Sequence, residues 1–257
     1  MASFCYDIPM EIIKTKSFEL AIISQGDKNA PKMAIVIPGR LDTKDYAQNT
    51  SHIKFLASKG YFALSFDPPG SWDSPGGLEL YSTTNYIKAV DELIEHFGNK
   101  PTLLMGHSRG GTVAMLAGPN NLHVTHMISV NSSYGGPIDV DAPVPGETRV
   151  SYRDLPPGTA RTKEQKRFDL PYHYFEDSEK YNALEGLKTC TKPKLFFYGS
   201  KDELSKADIV RHMYDVAAEP KMIHELNTEH DYRLHSEIID EVNEVVSKFL
   251  DSSTTKP

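Results

Sequence analysis

Apolar residues occur along the chain in short runs, separated by longer stretches in which apolar and polar residues mix. Six apolar segments look like buried strands, and several of them are nearly continuous apolar runs: 33–37, 61–66, 102–105, 127–130, 194–198 and 222–226. Continuous apolar runs of this length are typical of parallel strands whose two faces are both covered. The pattern therefore predicts six buried parallel strands.

The stretches between these runs carry apolar residues at helical spacing. The clearest stripe lies near the end of the chain and consists of Ile238, Ile239, Val242, Val245, Val246 and Phe249. Two earlier stretches, 44–59 and 83–97, end at Gly60 and Gly98, which are helix stop signals. Strands that alternate with helices predict an α/β fold, in which right-handed crossovers place helices on both faces of the sheet.

The first two strand-like segments, 10–16 and 17–24, are too close for a crossover helix. We expect them to form an antiparallel hairpin at one edge of the sheet. Together with the six parallel strands, they predict a mostly parallel sheet of eight strands.

The segment 132–180 interrupts this alternation. It is rich in glycine and proline and then carries an aromatic cluster, Phe168, Tyr172, Tyr174 and Phe175. A long structureless loop inside a compact domain is unusual unless it is functional, and aromatic residues are rare in disordered linkers. We predict a lid inserted into one domain that spans residues 1–257.

Composition narrows the class of protein. The chain of 257 residues is 39% hydrophobic and 25% charged, as in a globular protein, and its net charge of −7 disfavours nucleic acids and anionic membranes as partners. It has no membrane-spanning run and no signal-peptide pattern at its start. Cys5 and Cys190 are expected to be free thiols. We predict a cytoplasmic enzyme, monomeric or homodimeric.

The sequence "GHSRG" places Ser108 between Gly106 and Gly110, directly after a predicted strand and before a predicted helix. On such a sharp turn the serine hydroxyl points away from the sheet, and the neighbouring positions have room only for small residues. This is the G-x-S-x-G nucleophile elbow. The alternative is a glycine-rich turn with a purely structural role.

A serine hydroxyl needs a base to act as a nucleophile at neutral pH. Asp202 follows the predicted strand 194–198, and His230 follows the predicted strand 222–226. The order Ser, Asp, His, with each residue in a loop after a strand, predicts that Asp202 orients His230 and that His230 activates Ser108.

Other residues could take these roles. Glu203 is an alternative acid, and His224 and His235 are alternative bases, although His224 lies within an apolar strand. The group His224, Glu229, His230 and His235 lacks the H-E-x-x-H spacing of a zinc site. We predict neither a metal nor a cofactor.

An oxyanion hole needs two donors. We predict the backbone amide of Arg109, the residue after the nucleophile, and that of Arg40, in the "IPGR" loop after the first parallel strand. Gly39 lets the backbone approach a ligand there. The alternative for Pro38 and Gly39 is a simple turn.

With these motifs the chain resembles the α/β-hydrolase superfamily, and in particular small bacterial esterases of the feruloyl- and cinnamoyl-esterase type. The resemblance runs from the "IPGR" loop to the C-terminal helix and includes "DPPGSWDSPG" at 67–76. The chain departs from those esterases at Pro38 and Arg40, where histidine and an aromatic residue are usual. A change there preserves the backbone donor but alters the pocket.

The resemblance implies a serine carboxylesterase that cleaves a small carboxylic ester through an acyl-enzyme. Ser108 would attack, His230 would act as base and then as acid, and Asp202 would orient His230. Because the fold does not fix the substrate, a peptidase, a thioesterase and a catalytically silent binder stay open as alternatives.

Two features bear on the substrate. Arg40 and Arg109 could bind an anionic group near the scissile bond, or they could pair with local acids such as Asp42, Asp45 or Asp73. The aromatic residues Tyr134, Tyr172 and Tyr174 could line an apolar acyl pocket, or they could only pack the lid against the domain.

Overall fold

The six apolar runs form six mutually parallel strands, of which the last along the chain lies at the edge of the sheet and is only partly buried rather than fully buried as predicted. The computed structural model describes residues 8–137 and 142–253. Its main sheet has eight strands in the order β1-β2-β4-β3-β5-β6-β9-β10. The strands are β1 (Met10–Lys14), β2 (Glu19–Gln25), β3 (Met33–Ile37), β4 (Phe62–Phe66), β5 (Thr102–His107), β6 (Val124–Val130), β9 (Lys194–Gly199) and β10 (Lys221–Leu226).

The antiparallel hairpin of β1 and β2 lies at the edge of the sheet, as the sequence predicts. Strand β2 pairs in antiparallel fashion with β1 on one side and with β4 on the other, whereas every pair from β4 to β10 is parallel. The predicted fold, a mostly parallel eight-stranded sheet with an edge hairpin, is confirmed. The prediction for β6 was short by three residues, because Val124, Thr125 and His126 extend the strand beyond the apolar run.

Helices cover both faces of the sheet. They are α1 (Ala47–Ser58), α2 (Thr83–His96), α3 (Arg109–Asn120), α4 (Tyr172–Ser178), α5 (Leu184–Thr189), α6 (Ala207–Val216) and α7 (Ser236–Ser253). Alternate strand residues pack against opposite layers: Ile35 and Leu104 lie in the core with α2, α3 and α6, while Ala34 and Leu103 lie in the core with α1 and α7. This two-sided burial explains the continuous apolar runs.

The 132–180 segment contains a second, two-stranded sheet. Strands β7 (Thr148–Asp154) and β8 (Gln165–Pro171) form an antiparallel hairpin, and α4 follows directly. Phe168, Leu170, Tyr174 and Phe175 pack on Leu41 and Tyr81, which belong to the loops beside the carboxyl ends of the parallel strands. Packing of the aromatic residues onto the domain is therefore observed, and a role as lid stays a prediction.

Two smaller findings concern cysteine and membranes. Cys190 is buried and free, whereas Cys5 lies outside the described residues. In the part of the chain that the structure describes, every helix is too short or too polar to cross a membrane.

His52 joins α1 to α7 as a buried, neutral imidazole. Its Nδ1 donates to the side-chain oxygen of Asn243 at 2.7 Å, and its Nε2 accepts from the hydroxyl of Tyr232 at 2.8 Å. Burial is the main cause that lowers the pKa of His52 to about 4, because a charged imidazole loses its hydration there.

We expect His52 to make the free energy of unfolding depend on pH. A histidine in the unfolded chain has a pKa of about 6.5, higher than that of His52 in the folded protein. The contribution of His52 to the free energy of unfolding is therefore complete above about pH 6.5 and is lost as the pH falls towards about 4. The loss amounts to roughly 3 kcal/mol. Urea unfolding at about pH 7.5 and about pH 4.5 measures the loss. His52→Gln should reduce this decrease in the free energy of unfolding, whereas the control His96→Gln, at an exposed site, should leave it unchanged. Equal decreases in the wild type and both variants would contradict the assignment of the pH dependence to His52.

Candidate active site

Ser108 lies on a strained turn between β5 and α3. Its backbone φ of 50° falls in the left-handed region, and its amide donates to the carbonyl of Val130 at 2.9 Å. A β-carbon at Gly106 would lie closer than 3.0 Å to backbone atoms of Gly110, and one at Gly110 would overlap the carbonyl of Ile37. The two glycines therefore let β5, α3 and β3 meet at the serine, as a nucleophile elbow requires.

The structure brings the three residues of the predicted triad together. His230 Nε2 lies 2.8 Å from Ser108 Oγ, and His230 Nδ1 lies 2.8 Å from Asp202 Oδ2. Because an ionised carboxylate can only accept, Nδ1 carries the proton and Nε2 offers its lone pair to the serine hydroxyl. The arrangement can deprotonate Ser108.

Asp202 is kept ionised by its surroundings. Its side chain is fully buried, and burial by itself would raise the pKa of the carboxyl group. The hydrogen bond from His230, and its positive charge whenever the ring is protonated, outweigh the effect of burial on the pKa. The amides of Leu204 and Ser205 add to this by donating to Oδ1 at 2.8 and 2.9 Å. The net result is a pKa below the usual range for Asp202, so it stays an acceptor for His230.

Two residues that the sequence analysis missed, His107 and Asn131, hold the backbone of His230, and Asp42 contacts one of them, His107. His107 Nε2 donates to the His230 carbonyl at 2.9 Å, and the Asn131 side chain donates to the same carbonyl at 3.2 Å. His107 Nδ1 lies 3.4 Å from Asp42 Oδ2, an ion-pair distance longer than a good hydrogen bond. The position of His107 beside Ser108 was a signal in the sequence, but Asp42 and Asn131 gave none.

Asp42 and His107 form a buried pair whose charged forms stabilise each other. Burial opposes charge on both groups, but each stabilises the charged form of the other. The pKa of Asp42 therefore lies below its usual range and the pKa of His107 above it. Arg153 also contributes, since its Nε lies 3.6 Å from Asp42 Oδ1.

The backbone amides of Arg40 and Arg109 donate to no acceptor within residues 8–137 and 142–253. Arg109 is the first residue of α3, where amide groups are free for a ligand. The loop of Arg40 is fixed by its neighbours: Arg153 donates to the Arg40 carbonyl at 2.8 and 3.0 Å, and the Leu41 amide donates to the Tyr81 hydroxyl at 2.7 Å. Both amides are therefore available for an oxyanion.

The side chains of Arg40 and Arg109 do not pair with the three acids considered in the sequence analysis. Asp42 interacts with His107 and Arg153, and Asp45 and Asp73 bind the Lys44 ammonium at 2.8 and 2.7 Å. The pairing alternative is therefore wrong for these acids.

The three predicted substrate-binding tyrosines lie in different places. Tyr174 is 1% exposed, and its ring centroid lies 5.9 Å from the guanidinium carbon of Arg109. Tyr134 is partly buried against the main core, and its ring centroid lies 6.0 Å from that of His212. Tyr172 is partly buried at the start of α4. Of these three rings, the Tyr174 ring is the one for which the described residues show a contact with Arg109, the residue after Ser108.

The alternative acid and bases lie away from Ser108. Glu203 is exposed, His224 pairs with Glu241 at 2.8 Å, and His235 lies 3.4 Å from Glu229. Within the part of the chain that the structure describes, one set of side chains has its ligand atoms close enough together to hold a metal ion. It consists of the carboxylates of Asp45, Asp67 and Asp73.

That carboxylate group surrounds Lys44. The Lys44 ammonium is fully buried and lies 2.9 Å from Asp67 as well as within ion-pair distance of Asp45 and Asp73. Burial alone would lower the pKa of Lys44, but the carboxylates outweigh it and raise the pKa. The Lys44 ammonium lies between the carboxylates, in the position that a metal ion would take. The cluster connects the loop before α1 to the loop after β4.

Comparison with known proteins agrees with this architecture. A family model described as the alpha/beta hydrolase fold matches residues 35–168, which is more than half of the chain. The chain belongs to the α/β-hydrolase family. It is therefore a hydrolase by class, as the sequence predicts. The matched region contains Ser108 and Arg40, whereas Asp202 and His230 lie beyond it.

Individual relatives are distant. The mouse protein named palmitoyl-protein thioesterase ABHD10, mitochondrial, is 25% identical over 175 residues, which cover 66% of this chain and 58% of the relative. The chain thus matches less than two thirds of the length of its curated relatives.

Two solved structures share the fold. The structure of mouse alpha/beta hydrolase domain-containing protein 10 has a TM-score of 0.74 at 19% identity and covers 95% of this chain and 99% of its own. Est1E of Butyrivibrio proteoclasticus, solved with ferulic acid bound, has a TM-score of 0.76 at 16% identity and covers 96% and 100%.

Proposed function

We propose that the protein is a serine hydrolase that cleaves a small carboxylic ester through an acyl-enzyme. The observation that supports this most directly is the hydrogen-bonded series from Ser108 Oγ through His230 to Asp202, with 2.8 Å at each step. A protein that only binds a ligand needs no such series. Family membership and the likeness to Est1E add support at the level of the fold.

In the proposed first half-reaction, Ser108 Oγ attacks the carbonyl carbon while His230 Nε2 takes its proton. The carbonyl oxygen becomes an oxyanion, to which the amides of Arg40 and Arg109 donate. Each such donor typically contributes ~10²–10³ in rate. The tetrahedral intermediate then collapses: the bond to the alcohol oxygen breaks, and His230 gives its proton to the departing alcohol.

In the second half-reaction, His230 takes a proton from water, and the hydroxide equivalent attacks the acyl carbon. Collapse breaks the bond to Ser108 Oγ, which recovers the proton from His230, and the carboxylic acid leaves. Asp202 stabilises the imidazolium that forms in each half-reaction without taking its proton.

A thioester is the second candidate substrate. The supporting observation is the name of the mouse relative, a palmitoyl-protein thioesterase, which aligns with this chain over 175 residues. The same residues can act on both bonds, because only the leaving atom changes from oxygen to sulfur.

The deciding experiment compares an oxygen ester and a thioester that differ in one atom. We would measure kcat/KM for phenyl butyrate and S-phenyl thiobutyrate, each divided by its rate of hydrolysis by hydroxide. We expect the ratio of kcat/KM to the hydroxide rate to be larger for the oxygen ester. A larger value of this ratio for the thioester would make the protein a thioesterase.

The 4-nitrophenyl esters of acetate, butyrate and octanoate then measure the preferred acyl length. If folded protein cleaves none of them and a fluorophosphonate fails to label it, the proposal is wrong and a binding role is favoured.

The remaining expectations follow from sequence composition. We propose a small-molecule ester as substrate, the cytoplasm as location, and a monomer or homodimer as the assembly. The curated relatives are named as mitochondrial proteins. Fractionation of cells and light scattering of the purified protein test the location and the assembly.

A further inference from the structure

Two arginine side chains belong to the residues of the proposed oxyanion amides and have no carboxylate partner among residues 8–137 and 142–253. Arg109 is 8% exposed; it donates to the hydroxyl of Thr83, and its Nε has no hydrogen-bond partner among the described residues. Arg40 is partly buried and forms no ion pair with any carboxylate of the described residues. Within the part of the chain that the structure describes, no carboxylate therefore compensates the positive charge of these two side chains.

Tyr174 adds a hydrogen-bond donor to this region. Its ring lies beside Arg109, and its buried hydroxyl has no hydrogen-bond partner in the described part of the chain. Tyr174 also packs with Leu41, the residue after Arg40, and its ring centroid lies 5.2 Å from that of Tyr81, whose hydroxyl accepts from the Leu41 amide. Tyr174 therefore contacts the segments of both arginines, and each of the three side chains has donors without a partner among the described residues.

The β7–β8 hairpin contributes two more arginines to the surroundings of Arg40, and one of them, Arg153, pairs with Asp42. Thr148, Val150 and Tyr152 are exposed on β7, so the alternate residues Arg149 and Arg153 face the other way. Arg153 binds the Arg40 carbonyl, and both hairpin arginines lie close enough to lower the pKa of Arg40.

Buried charge is costly unless an opposite charge or hydrogen bonds compensate it. Guanidinium groups match carboxylates especially well, because two parallel N–H donors fit the two carboxylate oxygens. A phenol hydroxyl supplies one more donor to the same anion. A carboxylate between Arg40, Arg109 and Tyr174 would accept hydrogen bonds from all three side chains.

We propose that Arg40, Arg109 and Tyr174 form a subsite for a carboxylate carried by the acyl part of the substrate. The preferred substrate is then a half-ester of a dicarboxylic acid. This inference rests on the proposed function: the amides of Arg40 and Arg109 hold the carbonyl oxygen of the acyl group, and their side chains hold the carboxylate of the same group.

The test compares two esters with the same leaving group and nearly the same size. One is 4-nitrophenyl hydrogen glutarate, and the other is 4-nitrophenyl methyl glutarate, in which a methyl ester masks the charge. Rates are corrected for spontaneous hydrolysis, which the free carboxylate accelerates. We expect kcat/KM to be roughly tenfold or more higher for the charged ester, as for charge-assisted hydrogen bonds. Glutarate should also bind in calorimetry, and neutral glutaramide should not.

Matched variants locate the effect. Arg40→Gln should lower the ratio of charged to neutral kcat/KM roughly tenfold, and Tyr174→Phe should lower it several-fold. Tyr174→Phe removes only a hydroxyl without a described partner, so it should fold as the wild type does. The control Arg167→Gln removes an exposed charge from the same hairpin. Its ratio should equal that of the wild type.

The outcomes separate the two proposals. Equal kcat/KM for both esters, with turnover that depends on Ser108, would overturn the carboxylate subsite and leave the serine hydrolase intact. Absence of turnover with both esters would overturn the hydrolase, and glutarate binding that is weakened by Arg40→Gln would still support the subsite. Absence of glutarate binding would count against it.

Discussion

Replacing Ser108 with alanine should reduce kcat for ester hydrolysis by about 10⁵-fold or more, as expected when the nucleophile of a triad is lost. Ser108 Oγ is the hydroxyl that lies 2.8 Å from His230 Nε2. Its removal leaves the base with nothing to deprotonate except water. Turnover of 4-nitrophenyl butyrate measures the loss, and mass spectrometry after fluorophosphonate treatment should show one adduct on the wild type and none on the variant.

Ser133→Ala is the matched control. Ser133 lies three residues after the end of β6, is partly buried, and accepts a hydrogen bond from the Gly135 amide at 3.4 Å. It should retain activity and fluorophosphonate labelling. A Ser108→Ala protein that kept most of its turnover would require a different nucleophile and would remove the basis for the acyl-enzyme.

The second large effect concerns folding. Gly106→Ala should destabilise the protein by more than about 4 kcal/mol, which for a chain of this size lowers the melting temperature by about 10 °C or more. The added β-carbon would lie closer than 3.0 Å to backbone atoms of Gly110 and Gly111. Backbone atoms at the start of α3 cannot move aside without separating the helix from β5. Differential scanning calorimetry measures the shift.

Gly186→Ala is the control for Gly106→Ala. Gly186 lies in α5, and a β-carbon there would contact Pro119 at an ordinary 3.4 Å. Because alanine favours helix over glycine by up to about 1 kcal/mol, this variant should be as stable as the wild type or slightly more so. If Gly106→Ala melted at the same temperature as Gly186→Ala, close packing at the elbow would not be the reason for the glycine.

The fold could be predicted because its signals are local. Most of the parallel strands are nearly continuous apolar runs, and α2, α6 and α7 carry apolar stripes, so strand and helix order follow directly from the sequence. The predicted helix from residue 44 was less accurate, since α1 begins at Ala47. The residues before it form the loop in which Lys44 is bound by Asp67 and Asp73 from the loop after β4, and that long-range contact leaves no periodic signal.

The candidate site could be predicted in part for the same reason. Ser108, Asp202 and His230 each follow a strand, and the carboxyl ends of parallel strands meet at one edge of a sheet. The supporting contacts were not predictable. Asp42 and Asn131 act through His107 and the His230 backbone, and their positions depend on loop conformations rather than on spacing.

The environment of Arg40 was also hidden in the sequence. Its neighbours Arg153 and Tyr174 come from the 132–180 segment, more than one hundred residues further along the chain. A one-residue shift in the register of β7 and β8 would turn Arg149 and Arg153 outward. The sequence pattern alone gives no means of choosing between these registers.

The order of the strands has a consequence for synthesis of the protein on the ribosome. Asp202 follows β9 and His230 follows β10, the last two strands at one edge of the sheet, whereas Ser108 follows the central strand β5. A growing chain therefore contains the serine elbow well before it contains the base and the acid. The serine stays chemically inert in the nascent chain until β10 joins the sheet, so its reactivity arises only with the completed fold.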